Sequence, residues 1–220
     1  MKRKIITTAD GSTTIQLEEW NEQYHSVHGA IQEAYHVFIG YGLSALAQSE
    51  ISILEMGFGT GLNALITYME AEKKELSIDY FAVEAFPVAE AELDQLNYTS
   101  ELEGKDLAKT FKEMHAVPWE KTQVLSPFFN IRKEKKDFFN VDVVNLFNLV
   151  YFDAFGPRVQ PELWTTKMFK KMYVAMKPKG ILVTYSAKGS VRRNLQEAGF
   201  IVERLPGPPG KREMLRALKD

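Results

Sequence analysis

From Ile51 onward the chain alternates short apolar runs with stretches of helical periodicity, and this alternation restricts the fold more than any other feature. Ile51–Met56 is an apolar run, followed by a glycine turn and a helical stretch from Leu62 to about Lys73. Ile78–Glu84 reads as a second strand and Val88–Leu96 as a second helix. After a less readable middle, Leu149–Phe152 is a strand, and Trp164–Lys177 is a helix stopped by Pro178 and Gly180. Ile181–Tyr185 is then a strand and Gly189–Ala198 a helix, and Phe200–Leu205 and Met214–Ala217 are strand-like pieces joined by PGPPGK. Strands separated by helices imply βαβ units and a mostly parallel sheet covered on both faces. The expected class is α/β: a doubly wound, mostly parallel seven-stranded sheet closed by an antiparallel pair.

The segment before Ile51 reads differently. Lys2–Leu17 has two β-prone runs about the turn pair Asp10-Gly11, the signature of a hairpin. A helix is expected from about Ala30, with Ile31, Ala34, Tyr35 and Phe38 on one face. The expected division is an N-terminal hairpin and helical extension, residues 1–45, and a main domain, residues 46–220. The chain has no cysteine, which excludes a disulfide framework, a thiolate zinc site and a cysteine nucleophile. Four histidines do not by themselves support a metal site, and none is expected. The basic start lacks an apolar signal core and no stretch is long enough to span a bilayer, so no membrane association and a cytoplasmic location are expected.

A net charge of −2 argues against wholesale electrostatic binding of nucleic acid. The distribution is uneven, however. Residues 186–220 carry eight basic and four acidic side chains, a basic end on a mildly acidic body.

The glycine turn Glu55-Met56-Gly57-Phe58-Gly59-Thr60-Gly61-Leu62-Asn63 falls where a strand ends and a helix begins. Ligands of open α/β sheets bind at such strand ends. The spacing departs from a dinucleotide fingerprint, because position 62 is leucine, and no Gly-Lys-Ser/Thr follows as in a phosphate-binding loop. A tight βα turn with a surface glutamate is the plain alternative. Glu-x-Gly-x-Gly-x-Gly resembles the turn of class I S-adenosylmethionine (SAM) methyltransferases. In that resemblance Glu55 attracts the methionine ammonium, and Glu84, at the end of the next strand, accepts from the ribose hydroxyls.

A second chemical segment is Leu149–Pro157, an apolar strand ending in Asp153, Phe155 and Pro157. A carboxylate there is placed to orient an amine and take its proton. Asp153 as a cap of the following turn is the alternative, and Phe155 serves equally as a pocket wall or a stacking platform.

Together, EMGFGTGLN, VYFDAFGPRVQPELWT, TYSAKGSVRRNLQEAGF and PGPPGKREMLRA resemble the methyltransferase module of the MnmC-type tRNA 5-aminomethyl-uridine modification enzymes, from about Trp20 to Lys219. The module is expected to stand alone, without the FAD oxidoreductase domain. The resemblance implies SAM-dependent methylation of the 5-aminomethyl group of the wobble uridine, or its 2-thio form, with S-adenosylhomocysteine as by-product. It implies a cofactor site of Glu55, Gly57, Phe58, Gly59, Gly61, Asn63 and Glu84, with Asp137 facing the adenine and Asp153 as the catalytic acid. The charge run Arg132–Asp137 reads equally as a solvated loop. Tyr24, Phe155, Pro157, Lys188, Arg192, Arg193, Lys211 and Arg212 are the expected substrate contacts, the basic ones forming a rim for the anticodon-loop phosphates of tRNA. A separate FAD oxidoreductase in the same pathway is an expected partner. Two other readings stand beside this one: an aminopropyltransferase of the spermidine-synthase kind, which calls for an acidic pocket, and a catalytically silent RNA-binding module.

Overall fold

The structure is a computed structural model that describes residues 2–220; Met1, the first residue of the expected extension, lies outside them. The chain opens with the expected hairpin, β1 (Arg3–Thr7) pairing antiparallel with β2 (Thr13–Leu17) in the register Arg3↔Leu17. Asp10 shapes the turn by accepting from Thr8 Oγ1 and the Ser12 backbone N–H, while Gly11 takes φ +87°. β3 (Glu22–Gln23), too short to carry a sequence pattern, extends this small sheet. The expected helix is α1 (Ala30–Ala34), which widens into a π-helical turn over Tyr35–Gly40.

Among the described residues the main sheet has eight strands, one more than expected. In chain order they are β4 (Glu50–Met56), β5 (Ser77–Glu84), β6 (Thr122–Ser126), β7 (Phe129–Lys135), β8 (Phe147–Phe152), β9 (Met176–Thr184), β10 (Ile201–Pro206) and β11 (Glu213–Leu218). Across the sheet the order is β10-β11-β9-β8-β4-β5-β7-β6, parallel from β9 to β7 and antiparallel at both ends. The helices are α2 (Leu62–Lys74), α3 (Glu90–Leu93), α4 (Tyr98–Glu101), α5 (Leu107–Ala116), α6 (Thr166–Ala175) and α7 (Gly189–Glu197).

Strand alternation divides the core into two layers. Ile53, Tyr80 and Tyr151 face the layer of α2 and α5, which adds Leu65, Phe111 and Met114. Leu54, Met56 and Phe152 face the layer of α6 and α7, which adds Phe169, Met172 and Val191. Burial on both faces is why these strands read as continuous apolar runs.

Three expectations need correction. The helix read over Val88–Leu96 shrinks to the single turn of α3, because Asn97 is pulled onto the hairpin: its Oδ1 accepts from Thr13 N–H at 2.7 Å and its Nδ2 donates to Gly11 O at 2.9 Å. The helix read over Trp164–Lys177 starts at Thr166, behind the Thr165 cap, and ends at Ala175. Met176 already pairs with Phe147, and Pro178 and Gly180 occupy a bulge before Ile181 pairs with Leu149. The charge run from Arg132 is not a solvated loop, since Arg132–Lys135 completes β7 and buries Lys133 and Glu134.

Candidate active site

β4 lies between parallel β5 and β8, and the chain turns at its C-terminal end into α2, so a crevice opens there. Gly57 (φ +104°) and Gly59 (φ +50°) form the turn, and Gly61 (φ +76°) caps α2. A Cβ at Gly57 would stand 2.7 Å from the backbone oxygen of Asp153, so only glycine fits between the two strand ends. The N–H groups of Gly57 and Phe58 donate to Val83 O at 3.0 and 3.2 Å, and Gly59 N–H donates to Glu84 Oε2 at 2.9 Å. Glu84 Oε1 accepts from Phe86 N–H at 2.8 Å, so both carboxylate oxygens are fixed by backbone donors.

Glu55, Tyr151 and Asp153 share a strand face toward α2, and Asn63 in the first turn of that helix reaches both acids. Its Nδ2 donates to Glu55 Oε1 at 3.0 Å and to Asp153 Oδ2 at 2.8 Å. Glu55 is fully buried, and Glu55 Oε2, Asn63 Oδ1 and Tyr80 Oη are buried without a hydrogen-bond partner. Burial pushes the Glu55 carboxyl well above the carboxylate range, against the pull of Asn63. Asp153 is pushed up to about 7, first by burial and then by the charge of Glu33, while Asn63 and Lys211 pull it down.

A cavity of about 760 Å³ opens over the turn, within the size range of small-molecule sites. Gly57, Phe58, Gly59, Glu84 and Asp137 line it, together with Tyr24, Asp153, Phe155 and Lys211. Asp137, the expected adenine contact, caps a 3₁₀ turn at Phe138–Asn140 and accepts from Phe139 N–H at 2.8 Å. Tyr24, His25 and Ser26, from the N-terminal segment, cover the cavity, and the Tyr24 ring meets Phe155 edge-on at 4.9 Å.

Not every expected site residue faces this space. Glu55, Gly61 and Asn63 stand behind the wall, so Glu55, expected to meet an ammonium directly, instead holds Asn63 in place. Pro157, Lys188, Arg192, Arg193 and Arg212 do not line the cavity. Lys188, Arg193 and Arg212 are exposed and Arg192 half-buried, and none of the four forms an ion pair among the described residues. Lys211 differs from the free rim cation the sequence suggests: it is ion-paired with buried Glu33.

Sequence reasoning missed the support beneath the turn. Thr60 Oγ1 accepts from Tyr98 Oη at 3.1 Å, which leaves its hydroxyl to donate to His25 Nε2 at 2.8 Å. Burial lowers His25 to about 4, so the ring is the neutral acceptor this bond needs. Thr60 O accepts from His115 Nε2 at 3.1 Å. Lys133, lowered to about 8 by burial, donates to His115 O at 2.6 Å and lies 4.8 Å from the Trp119 ring centre. The signal for Lys133 is its place in a strand whose alternate residues Phe129 and Ile131 are buried.

Among the described residues no helix is long and apolar enough to cross a membrane. The family model for S-adenosyl-L-methionine-dependent methyltransferases matches residues 105–220. The tRNA 5-methylaminomethyl-2-thiouridine biosynthesis bifunctional protein MnmC of Ralstonia nicotianae is 32% identical over 208 residues, covering 89% of this chain and 31% of that protein. The protein of the same name from Hydrogenovibrio crunogenus is 26% identical over 231 residues, covering 97% of this chain and 33% of its own. The chain thus spans about a third of the length of these curated relatives. Among solved structures, MnmC2 from Aquifex aeolicus superposes with a TM-score of 0.80 at 25% identity, covering 98% of this chain and 70% of that one. Spermidine synthase from Thermotoga maritima, at 14% identity and a TM-score of 0.61 over 99% of this chain and 68% of its own, shares the fold.

Proposed function

The chain belongs to the S-adenosyl-L-methionine-dependent methyltransferase family, and from that premise we propose that it methylates the 5-aminomethyl group of the wobble uridine, or its 2-thio form, in tRNA. The product is 5-methylaminomethyl-uridine. The names of the MnmC relatives support this substrate, and the likeness to MnmC2 supports it over nearly the whole chain.

The residues present fit the cofactor. Gly57 and Gly59 offer bare backbone along the cavity wall, and Glu84 is a carboxylate already anchored at both oxygens, with lone pairs left for two ribose hydroxyls. In this reading Asp137 and Phe138, both lining the cavity, would hold the adenine. When bound, SAM supplies an electrophilic methyl group on a sulfonium.

The observation that carries the proposal is Asp153, a carboxylate on the cavity wall whose pKa of about 7 suits proton transfer. An alkylamine is largely protonated near neutral pH and attacks only when neutral. Asp153 accepts the ammonium proton and keeps the nitrogen lone pair directed into the cavity, while Asn63 and Glu55 hold Asp153 in place. Tyr24 and Phe155 bound the acceptor side, and Pro157, set back from the cavity, fixes the course of the chain that carries Phe155. Lys188, Arg192, Arg193 and Arg212 receive phosphates of the anticodon loop. Residues 1–45 serve as a cover and 46–220 as the catalytic domain. An FAD oxidoreductase acts in the same pathway, and the site of action is the cytoplasm.

The acidic lining of the cavity favours an amine acceptor in general, which keeps a polyamine as the second reading. The test incubates the protein with methyl-labelled SAM and tRNA bearing 5-aminomethyl-uridine, and separately with decarboxylated SAM and putrescine. Label recovered as 5-methylaminomethyl-uridine is expected; unlabelled tRNA overturns the proposal, and aminopropyl transfer to putrescine installs the second reading.

A further inference from the structure

Deep in the same cavity a carboxylate and an aromatic face are fixed around a cation. Glu33 has a side chain only 8% exposed; its Oε1 accepts from Ser26 N–H at 3.0 Å and its Oε2 is ion-paired with Lys211. Lys211 Nζ lies 4.1 Å from the centre of the Tyr185 ring. That ring is held in turn, since Tyr185 Oη donates to Ala154 O at 2.9 Å, next to Asp153, and Trp164 packs edge-on against it at 5.9 Å. A buried acid opposite a π face is the combination that recognises an ammonium ion. Glu33, Tyr185, Lys211 and Asp153 all line the one cavity.

We propose that Glu33 and the Tyr185 ring form an alkylammonium subsite for the acceptor, and that Lys211 is its tethered occupant until substrate arrives. The inference rests on the reading of the acceptor as a primary amine and adds where that amine is first held. Left alone, Glu33 would be a buried carboxylate without a countercharge, a costly state. Lys211 removes that cost in the resting protein. It projects from the turn between β10 and β11, which is anchored where His36 Nε2 donates to Pro206 O at 2.8 Å. Its flexible four-carbon stem lets the ammonium leave for the rim beside Arg212 without movement of the turn. A substrate ammonium replaces it between Glu33 and Tyr185, beside Asp153, and the displaced Lys211 pairs with a phosphate. A free small amine supplies no such phosphate and must displace Lys211 uncompensated. The exchange therefore selects amines borne on a polyanion.

Two measurements with ethylammonium chloride as probe decide the matter. In protein carrying ¹³C-labelled lysine, the Lys211 ε-methylene resonance, assigned by its loss in Lys211→Met, is expected upfield under the Tyr185 ring. Saturating ethylammonium should move it to the position of exposed lysines. By calorimetry, Lys211→Met is expected to bind ethylammonium at least about tenfold more tightly than the unaltered protein, and adding Glu33→Gln should abolish the gain. A Lys211 resonance unmoved at saturation, no gain in Lys211→Met, or a gain that survives Glu33→Gln overturns the proposal. If Lys211→Met does not fold, Lys211→Arg assigns the resonance and the titration of the unaltered protein decides alone. Displacement of Lys211 without tRNA methylation would remove the proposed function and keep the subsite; methylation without displacement would do the reverse.

Discussion

Asn63 Nδ2 lies 2.8 Å from Asp153 Oδ2, a contact made from the first turn of α2 to the end of β8 across the intervening strand. The same nitrogen bonds Glu55 Oε1. One amide donor thus serves two neighbouring acids, and burial decides how they share the charge. Glu55, fully buried, is held protonated well above its ordinary range, and Asp153, on the cavity wall, ionises near 7.

Asn63→Ala removes a donor that favours the charged form of Asp153, so the Asp153 pKa rises further. The acid limb of the kcat–pH profile moves to higher pH, and stability falls by about 1–3 kcal/mol as two buried acids lose their partner. Urea unfolding and the pH profile check this; an unmoved acid limb removes the assigned link between the two residues.

Asp153→Asn slows methyl transfer by about 10²-fold or more and leaves the heat of cofactor binding intact. The same variant tests linkage. Because the folded Asp153 pKa is raised from 3.8 to about 7, the native state holds more protons than the unfolded chain between those values. The stability it contributes is therefore present at low pH and lost as pH rises through that window. Against the Asn variant, the cofactor-free protein should lose stability from about pH 4 to about pH 7 and level off above; parallel stability curves would refute the raised pKa.

Gly57→Ala combines a positive φ with a Cβ 2.7 Å from a backbone oxygen that cannot move independently of β8. A loss of about 1–3 kcal/mol is expected from the backbone conformation alone, with cofactor affinity reduced as the strand ends part. Thermal unfolding and calorimetry measure both, and an unchanged melting temperature would mean that the two strand ends separate freely.

Replacing Arg192 and Arg193 together by Ala weakens tRNA binding and flattens its salt dependence, by about 0.7–0.9 in log–log slope for each phosphate no longer neutralised. Filter binding over a salt series reads this directly. An unaltered slope moves the RNA-facing surface away from α7.

What the sequence revealed follows from where information is local. The glycine turn, Glu84 and Asp153 sit at the ends of apolar runs, so strand order alone brings them together. The hairpin was legible because Asp10 and Gly11 dictate the turn within five residues. β7 was hidden because its charged residues find partners in three dimensions: Arg132 and Lys136 pair with Glu134, and Lys133 is covered by the Phe58 and Trp119 rings. Basicity near the end of the chain was visible, but not that Lys211 would be claimed by an acid 178 positions earlier. The acid pair had the same difficulty, since nothing in Glu55 itself tells that it is buried against Asn63 and does not line the pocket.

Thr60 is hydrogen-bonded to the N-terminal segment through His25, to α4 through Tyr98 and to α5 through His115. Any ligand that stiffens this one peptide also quietens three stretches it never touches. Occupancy should then be audible at a distance, as slower amide deuteration along Leu107–Ala116 and around Tyr98, with no reporter placed inside the pocket.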